Sequence, residues 1–169
     1  MERTGVVISG PPGTGKSTIA PELARRLGDA KVVEVDDVRK QRHGTTKKSD
    51  RVDFQEASRI ASKALSEHAY VILVEAFPVK PLLELTLGTL PSDANVAKFL
   101  LWCDVNTAVK RATSRDVDQL TEADVRNVFA RFKKTYPDRE KIDTALSSPE
   151  DVARQISEVL RDPAKDLFR

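Results

Sequence analysis

The sequence predicts an α/β fold in which a parallel sheet is covered by helices on both faces. Three observations carry this. Short apolar runs rich in β-branched residues recur along the 169 residues, and amphipathic helical stretches alternate with them. The runs are also apolar throughout, as strands buried on both faces are. The elements follow in order. Gly5-Val6-Val7-Ile8-Ser9 is the first strand, ended by Gly10-Pro11-Pro12-Gly13. Over 16–27, Ile19, Ala20, Leu23, Ala24 and Leu27 recur at helical spacing, and Gly28 closes the helix. Residues 31–35 read as the second strand. Residues 53–67 read as a helix with Phe54, Ala57, Ala61, Ala64 and Leu65 along one face. Residues 70–74 form the third strand and 97–103 the fourth, with Pro81 opening a helix over 82–87 between them. Another helix is expected over 107–115, and Thr121 with Asp124 forms an N-cap pair opening one through 133. A short fifth strand over 142–145 precedes a last helix, opened by Ser148-Pro149, that buries Val152, Ile156, Val159 and Leu160.

No repeat, low-complexity tract or linker divides the chain, so residues 1–169 are expected to form one domain. The 40% hydrophobic content is enough for a packed core. The balance of 28 Lys+Arg against 26 Asp+Glu excludes a histone-like basic protein. A single cysteine, Cys103, excludes an internal disulfide or a cysteine-clustered metal site. It reads, like Trp102, as core. His43 and His68 are read as lacking metal-ligand company. No apolar run approaches the roughly 20 residues that span a bilayer. Met1-Glu2-Arg3-Thr4 leads straight into a strand without signal-peptide anatomy, so a cytoplasmic location with no membrane partner is expected.

In open parallel sheets ligands gather beyond the carboxyl ends of the strands. After the first strand, Gly10-Pro11-Pro12-Gly13-Thr14-Gly15-Lys16-Ser17 matches G-x-x-x-x-G-K-[ST] in full, between a strand and a helix. Glycines let such a loop wrap close to phosphates, so that backbone N–H groups and the helix N-terminus face the anion. Lys16 suits the β- and γ-phosphate oxygens and the Ser17 hydroxyl suits Mg²⁺, with Thr18 packing or capping nearby. A nucleoside triphosphate and Mg²⁺ are therefore the expected cofactors. A GTPase would carry N-K-x-D, yet no Asn here precedes Lys, and no D-x-x-G ends on any of the seven glycines. An oligomeric ATPase would end a strand in Asp-Glu, whereas the third strand runs Val74-Glu75-Ala76. The small size, with a charged region after the fourth strand, favours a kinase.

The second strand leads into Asp36-Asp37-Val38-Arg39. Transfer to a hydroxyl benefits from a carboxylate that takes its proton, and Asp36 stands where one is needed. Arg39, one turn on, could pair with it or hold a phosphate of the acceptor. The plain alternative is a helix N-cap with a surface arginine. Arg111 and Arg115, four apart, share a helix face that could close over the triphosphate, or could simply be solvated.

Together the loop, Asp36-x-x-Arg39 and Arg111-x-x-x-Arg115 resemble the kinase module of polynucleotide 5′-hydroxyl kinases, within a wider group of small P-loop kinases. The resemblance implies a P-loop NTPase fold with three layers and a five-stranded sheet ordered 2-3-1-4-5. A helical lid would span about 105–137. It implies ATP as donor, Asp36 as general base, Arg39 on the acceptor, and Arg111 and Arg115 in the lid. Related kinases hold a metal-bound water with Asp at the end of the third strand, where this chain has Glu75. The implied activity is transfer of a γ-phosphate to a hydroxyl, with a polynucleotide 5′ end leading. A small-molecule kinase and a nucleotide-binding regulatory module are the alternatives. Residues 39–51 hold six Lys/Arg against Asp50 alone, read as a mobile basic loop suited to a phosphate-bearing acceptor. Phe77 is the stacking candidate.

Overall fold

The computed structural model describes residues 3–114 and 119–162. Within them the chain runs β1 (Thr4–Ser9), α1 (Lys16–Leu27), β2 (Ala30–Glu34), α2 (Val35–His43), α3 (Arg51–Leu65) and β3 (Tyr70–Glu75). It continues through α4 (Lys80–Leu87), β4 (Asn95–Trp102), α5 (Val105–Thr113), α6 (Glu122–Thr135), β5 (Ile142–Asp143) and α7 (Pro149–Arg161). The sheet is parallel and ordered β2-β3-β1-β4-β5, as the resemblance implied. β1 lies at its centre, and the register sets Ser9 beside Glu75 at the carboxyl edge.

Successive strand residues point to opposite faces, and here both faces are covered. Val6, Ile8, Ile72, Val74, Phe99 and Leu101 pack against Ile19 and Leu23 of α1 and Val152 and Ile156 of α7. Val7, Val33, Val71 and Leu73 pack against Phe54, Ala57, Ala61 and Leu65 of α3 and Leu83 of α4. This is why the strands read as unbroken apolar runs. A third cluster joins Cys103 to Ala108 and Ala112 of α5 and to Val125 and Phe129 of α6. Trp102 is only partly buried, with its ring 4.9 Å from that of Phe129. The α6 N-terminus is the expected capping box, Thr121 and Asp124 each accepting from the other's backbone.

Several boundaries differ from expectation: α3, α4 and β4 each begin two residues early, at Arg51, Lys80 and Asn95, and β5 is only Ile142–Asp143. β2 stops at Glu34, and Val35 opens α2, which runs to His43. Residues 39–43 of the expected mobile loop are therefore helical. Asp36 and Asp37 in the first turn and Lys40, Arg42 and His43 in the last complement the helix dipole. Gly44, at φ 70°, ends the helix in a left-handed turn. α5 begins two residues early because Asp104 caps it, accepting from the Thr107 N–H at 2.9 Å. It ends at Thr113, and Arg115 lies outside the described residues.

Folding also supplies His43 with the company its sequence neighbours lack. Its Nε2 is 3.0 Å from Asp53 Oδ1, and the two share a cluster with Asp50. Asp50 and Asp53 form the capping box of α3, and Arg42 bonds both carboxylates. The cluster thus clasps the two ends of residues 44–50. His68 is likewise engaged, 2.8 Å from Asp29.

Candidate active site

The loop between β1 and α1 is wound as its glycines require. Gly10 has φ 154°, and a Cβ there would lie 2.5 Å from the Leu101 carbonyl oxygen. Gly13 has φ 81°, and a Cβ there would lie 2.8 Å from Ala108 Cα. Only glycine lets the loop pass so near β4 and α5. Thr14, fully buried, donates to the Pro11 carbonyl at 2.8 Å and braces the turn. Gly15, at φ 87°, is the N-cap of α1, so the first N–H groups of that helix open toward the loop. Lys16 Nζ donates to the carbonyls of Gly10 and Pro11 at 2.8 and 3.0 Å, which centres its charge over the loop.

Two clefts flank this loop. The first, of about 220 Å³, is lined by Pro12, Gly15, Lys16, Ser17, Glu34, Asp36, Arg39, Thr46, Glu75 and Leu120 among others. The structure thus gathers Lys16, Ser17, Asp36, Arg39 and Glu75, which are far apart in sequence. Arg39 is the hub. Its Nη1 donates to Asp36 Oδ1 at 2.6 Å, its Nη2 lies 2.8 Å from Glu75 Oε2, and its guanidinium sits 5.2 Å from the Phe54 ring centre. Burial works against the Arg39 charge, but the Glu75 and Asp36 carboxylates outweigh it and raise its pKa. Glu75, 8% exposed, also accepts from the Ala76 N–H at 2.6 Å, and burial pushes its carboxyl up against the pull of Arg39. Arg39 and Glu75 together fix the Asp36 carboxylate at the cleft wall.

This pairing gives a stability prediction. Arg39→Met leaves Glu75 buried without its cation, which should cost about 3–5 kcal/mol in urea unfolding. Adding Glu75→Leu should recover most of that loss, because removing both charges is close to neutral. An unchanged unfolding midpoint in Arg39→Met would refute the hub.

Glu34 is the residue sequence reasoning passed over. The Ser17 hydroxyl donates to its Oε2 at 3.0 Å. Burial first, then the charges of Asp37 and Asp36, raise its carboxyl, while the Ser17 bond and Lys16 pull it down. The signal was there, a carboxylate ending the second strand, but its neighbours Asp36 and Asp37 drew the reading.

The second cleft, of about 260 Å³, is lined by Thr14, Gly15, Thr18, Ile19, Arg111, Thr144, Ser147 and Pro149. Arg111 donates to the Gly13 and Thr144 carbonyls at 3.5 and 3.3 Å. It therefore stands across the loop from Asp36 and Arg39, not among them. Phe77 is fully buried and packs on Phe54 with ring centres 6.2 Å apart, so it offers no stacking surface.

A parallel sheet in this order, with a glycine loop entering a helix beside its central strand, defines the P-loop kinase fold. Residues 6–137 match the AAA domain family, and the chain belongs to it. No curated protein matches the chain by sequence. Among solved structures, it resembles the tunicamycin resistance protein of Deinococcus radiodurans at 21% identity and a TM-score of 0.71, covering 94% of this chain and 96% of that one. It also resembles shikimate kinase from Aquifex aeolicus, at 19% identity and a TM-score of 0.67 over 95% and 98% of the two chains. A chain of the Pnkp1/Rnl/Hen1 RNA repair complex matches at 17% identity and a TM-score of 0.69, over 87% of this chain and 50% of that one. At these identities the likeness is one of fold. Among the described residues no helix is long and apolar enough to cross a membrane.

Proposed function

We propose that the chain acts as one domain, an ATP-dependent kinase that transfers a γ-phosphate to the hydroxyl of a small molecule. The observation that carries this is the placement of Asp36 in the cleft that also holds Lys16 and Ser17. Binding alone has no use for a carboxylate locked there by an arginine. In the reaction the acceptor oxygen attacks the γ-phosphorus, the bond to the ADP oxygen breaks, and the hydroxyl proton passes to Asp36. Arg39 holds Oδ1, leaving Oδ2 for the proton. Lys16 meets the charge on the phosphates. The second cleft takes the nucleoside, with Arg111 at its wall. In this reading Arg111 acts in nucleotide binding, with α5 and α6 as the lid.

The hydroxyl of Ser17 and the carboxylate of Glu34 are hard oxygen donors of the kind that would take Mg²⁺, with Glu75 on the same cleft wall. Bound there, the ion would neutralise charge on the transferring phosphoryl group. Glu34→Gln keeps the bond from Ser17 and removes the charge. It should raise the Mg²⁺ concentration for half-maximal rate by about tenfold or more. Activity should fall as pH drops through the raised Glu34 value, since protonation removes the charge beside Ser17. In Glu34→Gln that acid limb should flatten; a variant with the wild-type Mg²⁺ and pH profiles would rule Glu34 out.

Size and charge favour a small acceptor. The cleft has a volume of only about 220 Å³, with Thr46 and Leu120 among its lining. Lys47 lies near enough to Asp124 of α6 to help the Thr121 bonds hold that carboxyl below its ordinary range. Arg39 and Arg42 are spent on Asp36, Glu75, Asp50 and Asp53. The shikimate kinase likeness fits a small acceptor, and the RNA repair likeness keeps a polynucleotide 5′ end as the second reading. Exposed Lys48 and Arg51 favour that second reading. The readings separate with Lys47→Ala/Lys48→Ala. For a small neutral acceptor, KM should change less than twofold and ignore salt. For an oligonucleotide, KM should rise and its salt dependence flatten. Salt-linked loss with the oligonucleotide as the better substrate would overturn the small-molecule reading.

A further inference from the structure

We infer that the groove between α4, β4 and the end of α6 is a second ligand site, taking a small organic anion with an apolar body. The groove encloses about 500 Å³ and lies away from both clefts of the P-loop. One wall is apolar, built by Leu83, Leu87 and the ring of Tyr136. Lys80 from α4, Lys98 from β4 and Arg139 from the segment after α6 bring three cations to it, against the acids Glu84 and Asp138.

Arg139 makes this more than a surface dent. Its Nη2 donates to the Lys98 carbonyl at 2.8 Å, and its guanidinium lies 5.9 Å from the centre of the Tyr136 ring. One hydrogen bond and one ring contact thus hold the group at the groove. Burial pulls its pKa below the ordinary guanidinium value, against the influence of Tyr136. An entering carboxylate or phosphate would offer the half-buried guanidinium planar, two-pronged hydrogen bonding. The apolar wall beside it selects an anion that carries a ring or chain.

The groove shares its wall with the catalytic side. The Tyr136 hydroxyl donates to the Phe77 carbonyl at 3.1 Å, and Thr135 Oγ1 donates to the Pro78 carbonyl at 2.9 Å. These bonds fasten the segment that follows Glu75. Ser9, whose Oγ donates to the Ala76 carbonyl, floors the narrow space beneath Arg139 and directly precedes Gly10.

The test is amide and arginine-side-chain NMR of the whole chain with its P-loop saturated by a non-hydrolysable ATP analogue and Mg²⁺. Benzoate, phenyl phosphate and neutral benzyl alcohol are titrated in turn. At least one anion is expected to shift the Leu83, Lys98, Tyr136 and Arg139 signals saturably, with Ala76 and Phe77 following, and the better anion identifies the headgroup. Benzyl alcohol should bind at least about tenfold more weakly, and Arg139→Gln should weaken the anion by a similar factor. Lys98→Gln preserves the backbone carbonyl that Arg139 uses, and should weaken the anion even if Arg139→Gln fails to fold. No saturable shift in the groove, equal binding of benzyl alcohol, or full binding in Lys98→Gln would overturn the site.

Discussion

Lys16→Ala is expected to lower the rate of phosphoryl transfer by about 10²- to 10³-fold or more, the scale of losing one preorganised charge from a water-poor site. Lys16 is the only cation that the loop itself contributes, and it donates to the loop carbonyls of Gly10 and Pro11. ATP affinity should fall as well, because the same charge meets the ground-state phosphates. Stability should change little. Lys16 is partly exposed, and the turn keeps the Thr14 bond and the glycine contacts with Leu101 and Ala108. Circular dichroism and a urea midpoint near wild type should therefore accompany the loss. A folded Lys16→Ala protein with wild-type kcat would place the chemistry elsewhere.

Asp36→Asn separates chemistry from binding. Asparagine can still accept from Arg39, so the hub and the cleft wall persist, but it cannot take the acceptor proton. A fall of about 10²- to 10⁴-fold in kcat is expected, with the ATP dissociation constant unchanged. Asp37, next along α2, is exposed and is absent from the cleft wall. Asp37→Asn should retain nearly full activity. If Asp37 proved indispensable and Asp36 dispensable, the carboxylate facing the acceptor would have been misassigned.

The elements that position these residues were legible where local signals agree. Helix α1 was read to the residue, because its apolar period stops at Leu27 and Gly28 can adopt the positive φ that ends it. The α6 start was read from Thr121 and Asp124, whose bonding is local. Helix α2 was half missed. Its nine residues offer few apolar positions, and it is held by charges matched to its dipole and by Gly44, which a scan for periodicity passes over.

The site residues were legible as types and illegible as neighbours. The phosphate loop is contiguous, so its chemistry shows in eight letters. Asp36, Arg39 and Glu75 were each singled out, yet the pairing of Arg39 with Glu75 joins helix α2 to strand β3 and exists only in the folded sheet. The Glu34–Ser17 bond and the placement of Arg111 on the far side of the loop are nonlocal in the same way. Phe77 was misread because a lone aromatic after a strand shows nothing of what covers it. Here Phe54 and the segment around Tyr136 do.

The most direct measurement follows label from [γ-³²P]ATP in the presence of Mg²⁺ and a pool of small hydroxyl compounds, comparing wild type with Asp36→Asn. The account predicts that wild type moves the label onto a hydroxyl compound and that Asp36→Asn, folded and binding ATP normally, does so at least about 10²-fold more slowly. Label released only as inorganic phosphate, or transferred equally well by both proteins, would contradict it.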